Sequence, residues 1–150
     1  MRIEEEIKQK KFRSVHHKAH INVLFTASWL SQHSARLLKP YKISWQQFNI
    51  LRILRGMYPE PATVKLLTER MIDKMSNASR LVEKLKLKGY VERTACPSDR
   101  RRVDIRITDH GLKALEGISR VIEDGLHRQM DNLSEEDAEQ LNCLLDKLRD

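Results

Sequence analysis

Apolar positions recur at helical spacing through the first part of the chain: Ile21, Leu24, Phe25, Trp29, Leu37 and Leu38 stand three, four or multiples of these apart. That spacing gathers them on one face and predicts one long helix, its polar first dozen residues fraying and its end set by Pro40, which cannot donate to the helical ladder. Ser44, with Gln47 three residues on, has the capping-box pattern ahead of Phe48, Leu51 and Leu54. A second helix follows to about Met57, closed by Pro59-Glu60-Pro61. Thr63 caps a short third helix, Val64 to Met71, with Leu66, Leu67 and Met71 turned inward. Asp73 or Ser76 opens a fourth through Lys88, with Leu81, Leu85 and Ala78 as its buried stripe and Gly89 as its left-handed stop. Two short helices so closely joined have the spacing of a helix-turn-helix.

After Tyr90 the period falls to two. Val103, Ile105 and Ile107 alternate with Asp104 and Arg106, and Val91 to Cys96 can pair with them across a turn at Pro97-Ser98-Asp99. The hairpin tip carries Asp99, Arg100, Arg101 and Arg102. Helical spacing resumes after Thr108, a capping residue, with Leu112, Leu115, Ile118, Val121, Ile122 and Leu126 on one face. Ser134 with Asp137 opens a last helix bearing Leu141, Leu144, Leu145 and Leu148. The predicted fold is mainly α with a small β-wing. One domain, 1–150, holds a winged helix-turn-helix core over about 44–108, flanked by helices over about 1–40 and 109–150. The flanks carry more apolar residues than a three-helix core needs, so a second subunit is expected to cover them, a monomeric helical cap being the alternative.

A chain of 150 residues buries a core without metal or disulfide staples. Its 33% charged and 5% aromatic content, with few glycines and prolines, favours a soluble helical protein over a sandwich or barrel. No apolar run approaches the roughly 20 residues that span a bilayer, and Met1-Arg2-Ile3-Glu4-Glu5-Glu6 lacks a signal core, so no membrane role and a cytoplasmic location are expected. Cys96 and Cys143 are too few and too far apart for a disulfide framework or a paired-cysteine zinc site. Arginines near Cys96 leave redox sensing as an alternative to a plain thiol. His16 and His20, four apart, share a helix face, with His17 beside them, but no carboxylate or cysteine stands at matching spacing. No metal or other cofactor is expected, and with no nucleophile beside a base and no phosphate-binding glycine loop, no enzyme is expected either.

Charge distribution says more than the net +7. Residues 1–62 balance to +7, residues 63–108 to +6 and residues 109–150 to −6. Such a chain presents one face to a polyanion and keeps its acidic end away, unless the charge is simply solubilising. On the fourth helix, Ser76, Asn77, Ser79 and Arg80 precede Lys84, Lys86 and Lys88. Short polar side chains near a helix start reach base edges, an arginine can bond guanine through both nitrogens, and lysines suit phosphates. Alone, that face also reads as solvent surface. Three consecutive arginines at a hairpin tip repel one another and protect no core, however, and the negative potential of a narrow minor groove attracts such side chains. Asp99 is placed to hold one of them, or Arg93, in position. Helix and wing together point to double-stranded DNA between residues 63 and 108.

The runs Leu67-Thr68-Glu69-Arg70-Met71, Ser79-Arg80-Leu81-Val82-Glu83-Lys84-Leu85, Lys88-Gly89-Tyr90-Val91-Glu92-Arg93, Asp99-Arg100-Arg101 and Ile107-Thr108-Asp109-His110-Gly111 resemble the MarR family of transcriptional regulators across about residues 44–115. The resemblance implies a homodimer whose first and last two helices interlock and whose winged domains meet successive turns of a pseudo-palindromic operator. It implies that Ser76, Asn77, Ser79 and Arg80 face the major groove and that Arg101 enters the minor groove. It further implies repression relieved by a small aromatic or phenolic effector, in a cavity between the dimer helices and the winged domain. Phe25, Trp29, Tyr41, Trp45 and Phe48 are candidates to line that cavity, ordinary core being the other reading. A winged-helix interaction module, or an architectural protein indifferent to DNA sequence, is the alternative function.

Overall fold

A computed structural model describes residues 1–150, all but the side chain of Arg100. The chain divides into two compact units, Met1–Trp45 and Gln46–Asp150. In the first, the expected single helix is two: α1, Ile3–Glu6, and α2, Val15–Leu38. Residues 8–13 offer no apolar stripe to carry a helix through, Lys8 turns left-handed (φ 54°), and Ser14 starts α2 by accepting the His17 N–H. Lys18 reaches back to Glu4, an ion pair that lowers the Glu4 pKa, so α1 stays tied to α2. At the far end Pro40 sits in a 3-10 turn, Lys39–Tyr41, and Lys42 (φ 54°) reverses the chain.

The second unit follows the expected order. Helix α3, Trp45–Met57, buries Phe48, Ile50, Leu51 and Leu54. Helix α4, Val64–Arg70, starts where Thr63 accepts the Leu66 N–H, and buries Leu67, with Leu66 only half-buried. Helix α5 is Ala78–Leu87, capped by Asn77 rather than by Asp73 or Ser76. Its buried stripe is Ala78, Val82 and Leu85, and Leu81 turns to the half-buried flank. Gly89, at φ +72°, ends it in the left-handed conformation that only glycine adopts cheaply.

Strands β1, Val91–Cys96, and β2, Asp99–Ile107, form an antiparallel pair running from Val91 opposite Ile107 to Ala95 opposite Val103. Ala62, just before α4, adds a bridge in which Ala62 N–H donates to Ile105 O (2.9 Å) and Ile105 N–H to Ala62 O (2.8 Å). Helix α6, Asp109–Met130, buries Gly111, Leu115, Ile118 and Ile122; Thr108 caps it by accepting the Gly111 N–H. Helix α7, Glu135–Arg149, opens on a full capping box of Ser134 and Asp137. The expected apolar residues of α7 face water: Leu141, Leu144 and Leu148 are 42%, 65% and 67% exposed. On α2, Val23, Leu24 and Trp29 are likewise exposed. Among the described residues no helix is long and apolar enough to cross a membrane.

Candidate nucleic-acid interface

The turn between α4 and α5 is built around one carboxylate. Asp73 accepts from the Met75 N–H (3.1 Å) and the Ser76 hydroxyl (2.9 Å), and from Gln46 Nε2 of α3 (3.2 Å). The bond from Gln46, then those from Ser76 and Met75, hold its pKa below the ordinary carboxylate value, so these contacts stand at neutral pH and fail only as pH falls through that lowered value. One residue earlier, the Ile72 N–H donates to Asn49 Oδ1 of α3 (2.9 Å). The turn is therefore rigid at the point where α5 begins.

The five recognition-helix candidates separate into two kinds. Ser79, Arg80 and Lys84 are exposed, and the four-residue step from Arg80 to Lys84 puts both cations on one face. Ser76 and Asn77 are tied locally instead: the Ser76 hydroxyl donates to Asp73, and Asn77 Oδ1 caps α5 by accepting the Arg80 N–H (3.0 Å). Both stand beside the exposed face with part of their hydrogen-bonding capacity already used.

In the wing, register shifts after Ala95. Between the pairs Ala95–Val103 and Cys96–Asp99, β2 has three residues without a counterpart in β1: Arg100, Arg101 and Arg102. The arginines thus occupy a bulge. The side chain of Arg100 lies outside the described residues. Arg101 is exposed, and its N–H donates to Asp99 Oδ1 (2.9 Å), so Asp99 secures the backbone of the bulge. Arg102 Nε donates to Asp104 Oδ1 (2.9 Å), and Asp104, expected on the solvent side of the strand, is buried. Arg93 pairs with Glu83 of α5, not with Asp99. Glu83 and Asp104 are the functional neighbours that sequence reasoning missed. The Arg93–Glu83 pair is set by the α5–β1 corner, which no local spacing reveals, whereas Arg102 and Asp104, two apart on one strand, carry a local signal that was passed over.

An open cleft of about 420 Å³ separates the start of α4 from the wing, with Val64, Lys65, Asp99, Arg101 and Val103 along it beside the paired Arg93 and Arg102. Replacing Arg102 with alanine should strand the buried Asp104 carboxylate and lower stability by about 1–3 kcal/mol, with Asp104→Asn restoring part of the loss. Urea denaturation checks this; an unchanged midpoint would show that the Arg102–Asp104 pair adds nothing to stability.

Elsewhere, Cys96 is buried, and its thiol pKa is lowered by the Ser98 hydroxyl (Sγ to Oγ, 3.2 Å) and by the Ser98 backbone. His17 Nδ1 accepts the Arg13 N–H, and among the described residues no three His, Cys, Asp or Glu side chains gather as metal ligands. Phe48 is fully buried with the Arg52 guanidinium 6.0 Å from its ring centroid, whereas Phe25, Tyr41 and Trp45 are half-buried and Trp29 is 40% exposed.

A model of the MarR family matches residues 43–103. The chain is 31% identical to the HTH-type transcriptional regulator PecS of Dickeya dadantii over 75% of this chain and 69% of that one. It is 27% identical to the HTH-type transcriptional repressor IacR of Pseudomonas putida, over 77% and 68%. Among solved structures it resembles a mutant MarR from E. coli complexed with operator DNA (TM-score 0.74, 23% identity, 84% of this chain and 89% of that one). It also resembles an organohalide-sensing transcriptional regulator in its 2,4-dichlorophenol-bound form (TM-score 0.82, 19% identity, 91% and 80%). Both share the winged-helix fold described above.

Proposed function

The chain belongs to the MarR family, and on that premise we propose that it is a sequence-specific DNA-binding transcriptional repressor acting as a homodimer in the cytoplasm. The observation that carries the reading is the rigid union of two cationic elements. The exposed Arg80–Lys84 face of α5 and the arginine bulge of β2 are joined through Glu83 and Arg93, while the Ala62–Ile105 bridge holds the wing to the start of α4. Pre-set spacing lets one body meet a major groove and the adjoining minor groove together. The proposed division of labour has Ser79 and Arg80, beside Ser76 and Asn77, at base edges, Lys84 at phosphate, and Arg101 in the minor groove.

Homodimerisation is supported by the uncovered leucines of α7 and the uncovered Val23, Leu24 and Trp29 of α2, which a second copy would bury. Repression, rather than activation, is the part of the reading supported by the similarity to the repressor IacR. Release by a small aromatic or phenolic effector is the regulatory part of the proposal, prompted by the dichlorophenol-bound neighbour.

Binding is tested by fluorescence anisotropy of the protein on its own upstream DNA and on random DNA of equal length. A repressor should prefer the former by at least about a thousandfold at physiological salt; equal affinity would identify an architectural binder instead. Arg80→Ala should relax specificity at one or two base pairs by about 1–3 kcal/mol each, and a uniform loss on all sequences would reassign Arg80 to phosphate.

A further inference from the structure

We infer that Met75 reads thymine in the major groove through apolar contact with the 5-methyl group; this rests on the DNA-binding reading above. Met75 is 94% exposed, two residues ahead of the Asn77 cap of α5. An exposed methionine is unremarkable on a loose loop, but this loop is held. The Met75 N–H is bound to Asp73, the next residue donates its hydroxyl to the same carboxylate, and Gln46 anchors that carboxylate to α3. The backbone thus fixes where the Met75 side chain leaves the chain, and that side chain contributes nothing to the core.

Recognition helices present their N-terminal residues to base edges, and Met75 stands at that end, on the chain between Lys74 and the Ser76–Arg80 run. The cations Lys74, Arg80 and Lys84 are exposed and draw the surface toward DNA, which brings Met75, nearer the helix start and more exposed than Ile72, within reach of base edges. The thymine methyl is the apolar feature of the major-groove edges. A flexible unbranched thioether can settle against it without demanding one geometry.

Full-length protein is first used to select a preferred duplex from a random pool. Each thymine of that duplex is then replaced singly by deoxyuridine, which lacks only the methyl. Wild-type protein should lose about three- to tenfold in affinity at one position per half-site, in line with removal of one buried methyl contact. Met75→Ala should lose a similar factor on the thymine duplex and become indifferent to uracil at that position. Its melting temperature should stay unchanged, since Met75 is almost fully exposed. Ile72→Ala, in the same turn and also exposed, should retain the uracil sensitivity. A selected site at which wild type ignores every uracil, or at which Met75→Ala still senses it, overturns the inference while leaving DNA recognition intact. Selection of no site at all overturns both.

Discussion

Gly111→Ala should cost about 3 kcal/mol or more and lower the thermal midpoint by ten degrees or more, the largest single-methyl effect expected in this chain. Gly111 is buried in the first turn of α6, and a Cβ there would run into the carbonyl oxygen of Tyr90 and lie 2.9 Å from Ile107 Cγ1. The obstacle is backbone, so it cannot turn aside as a flexible side chain would. Nor can Tyr90 retreat, because its carbonyl accepts the Thr108 N–H (3.0 Å) and its ring packs against His110 at 5.1 Å between centroids. Gly117, on the same helix with open space around its α-carbon, is the internal control: Gly117→Ala should be neutral or mildly stabilising. Calorimetric melting of both variants checks the contrast, and equal midpoints would show that α6 can shift away from the corner.

Arg101→Ala should leave the melting temperature unchanged and weaken operator binding by about thirtyfold per protomer at physiological salt, the worth of about 2 kcal/mol of charge-assisted contact. The slope of log affinity against log salt should fall by about one per protomer, as one fewer counterion is released. Stability is spared because the Arg101 side chain is exposed and only its N–H is engaged, by Asp99, a bond that alanine keeps. Titrations at several salt concentrations decide the matter. Unchanged affinity and slope would remove Arg101 from the interface.

Features carried by neighbours in sequence were legible in advance. The caps at Thr63, Thr108 and Ser134 are contacts between residues three apart, and the order of helices and hairpin follows from where the apolar period changes. Less legible was which of two adjacent apolar residues faces inward. Leu81 and Val82 both fit a helical stripe with Ala78 and Leu85, and only the packing of α5 selects Val82. The hairpin strands were readable, but the burial of Asp104 was not: regular alternation puts it on the face opposite Ile105, and residue type does not show that this position is covered and paired with Arg102. Of the candidate interface, Ser79, Arg80, Lys84 and Arg101 are exposed, as polar residue types suggest. The Glu83 partner of Arg93 emerged only from a contact between elements, whereas Asp99 and Arg102 find theirs two residues away on β2.

The corner around Thr108 also works as a mechanical joint. Its hydroxyl donates to the Gly89 carbonyl (2.6 Å) while accepting from Gly111, so one side chain clasps both the end of α5 and the start of α6. One hydroxyl thus couples the end of α5 to the start of α6, and its loss would free both at once.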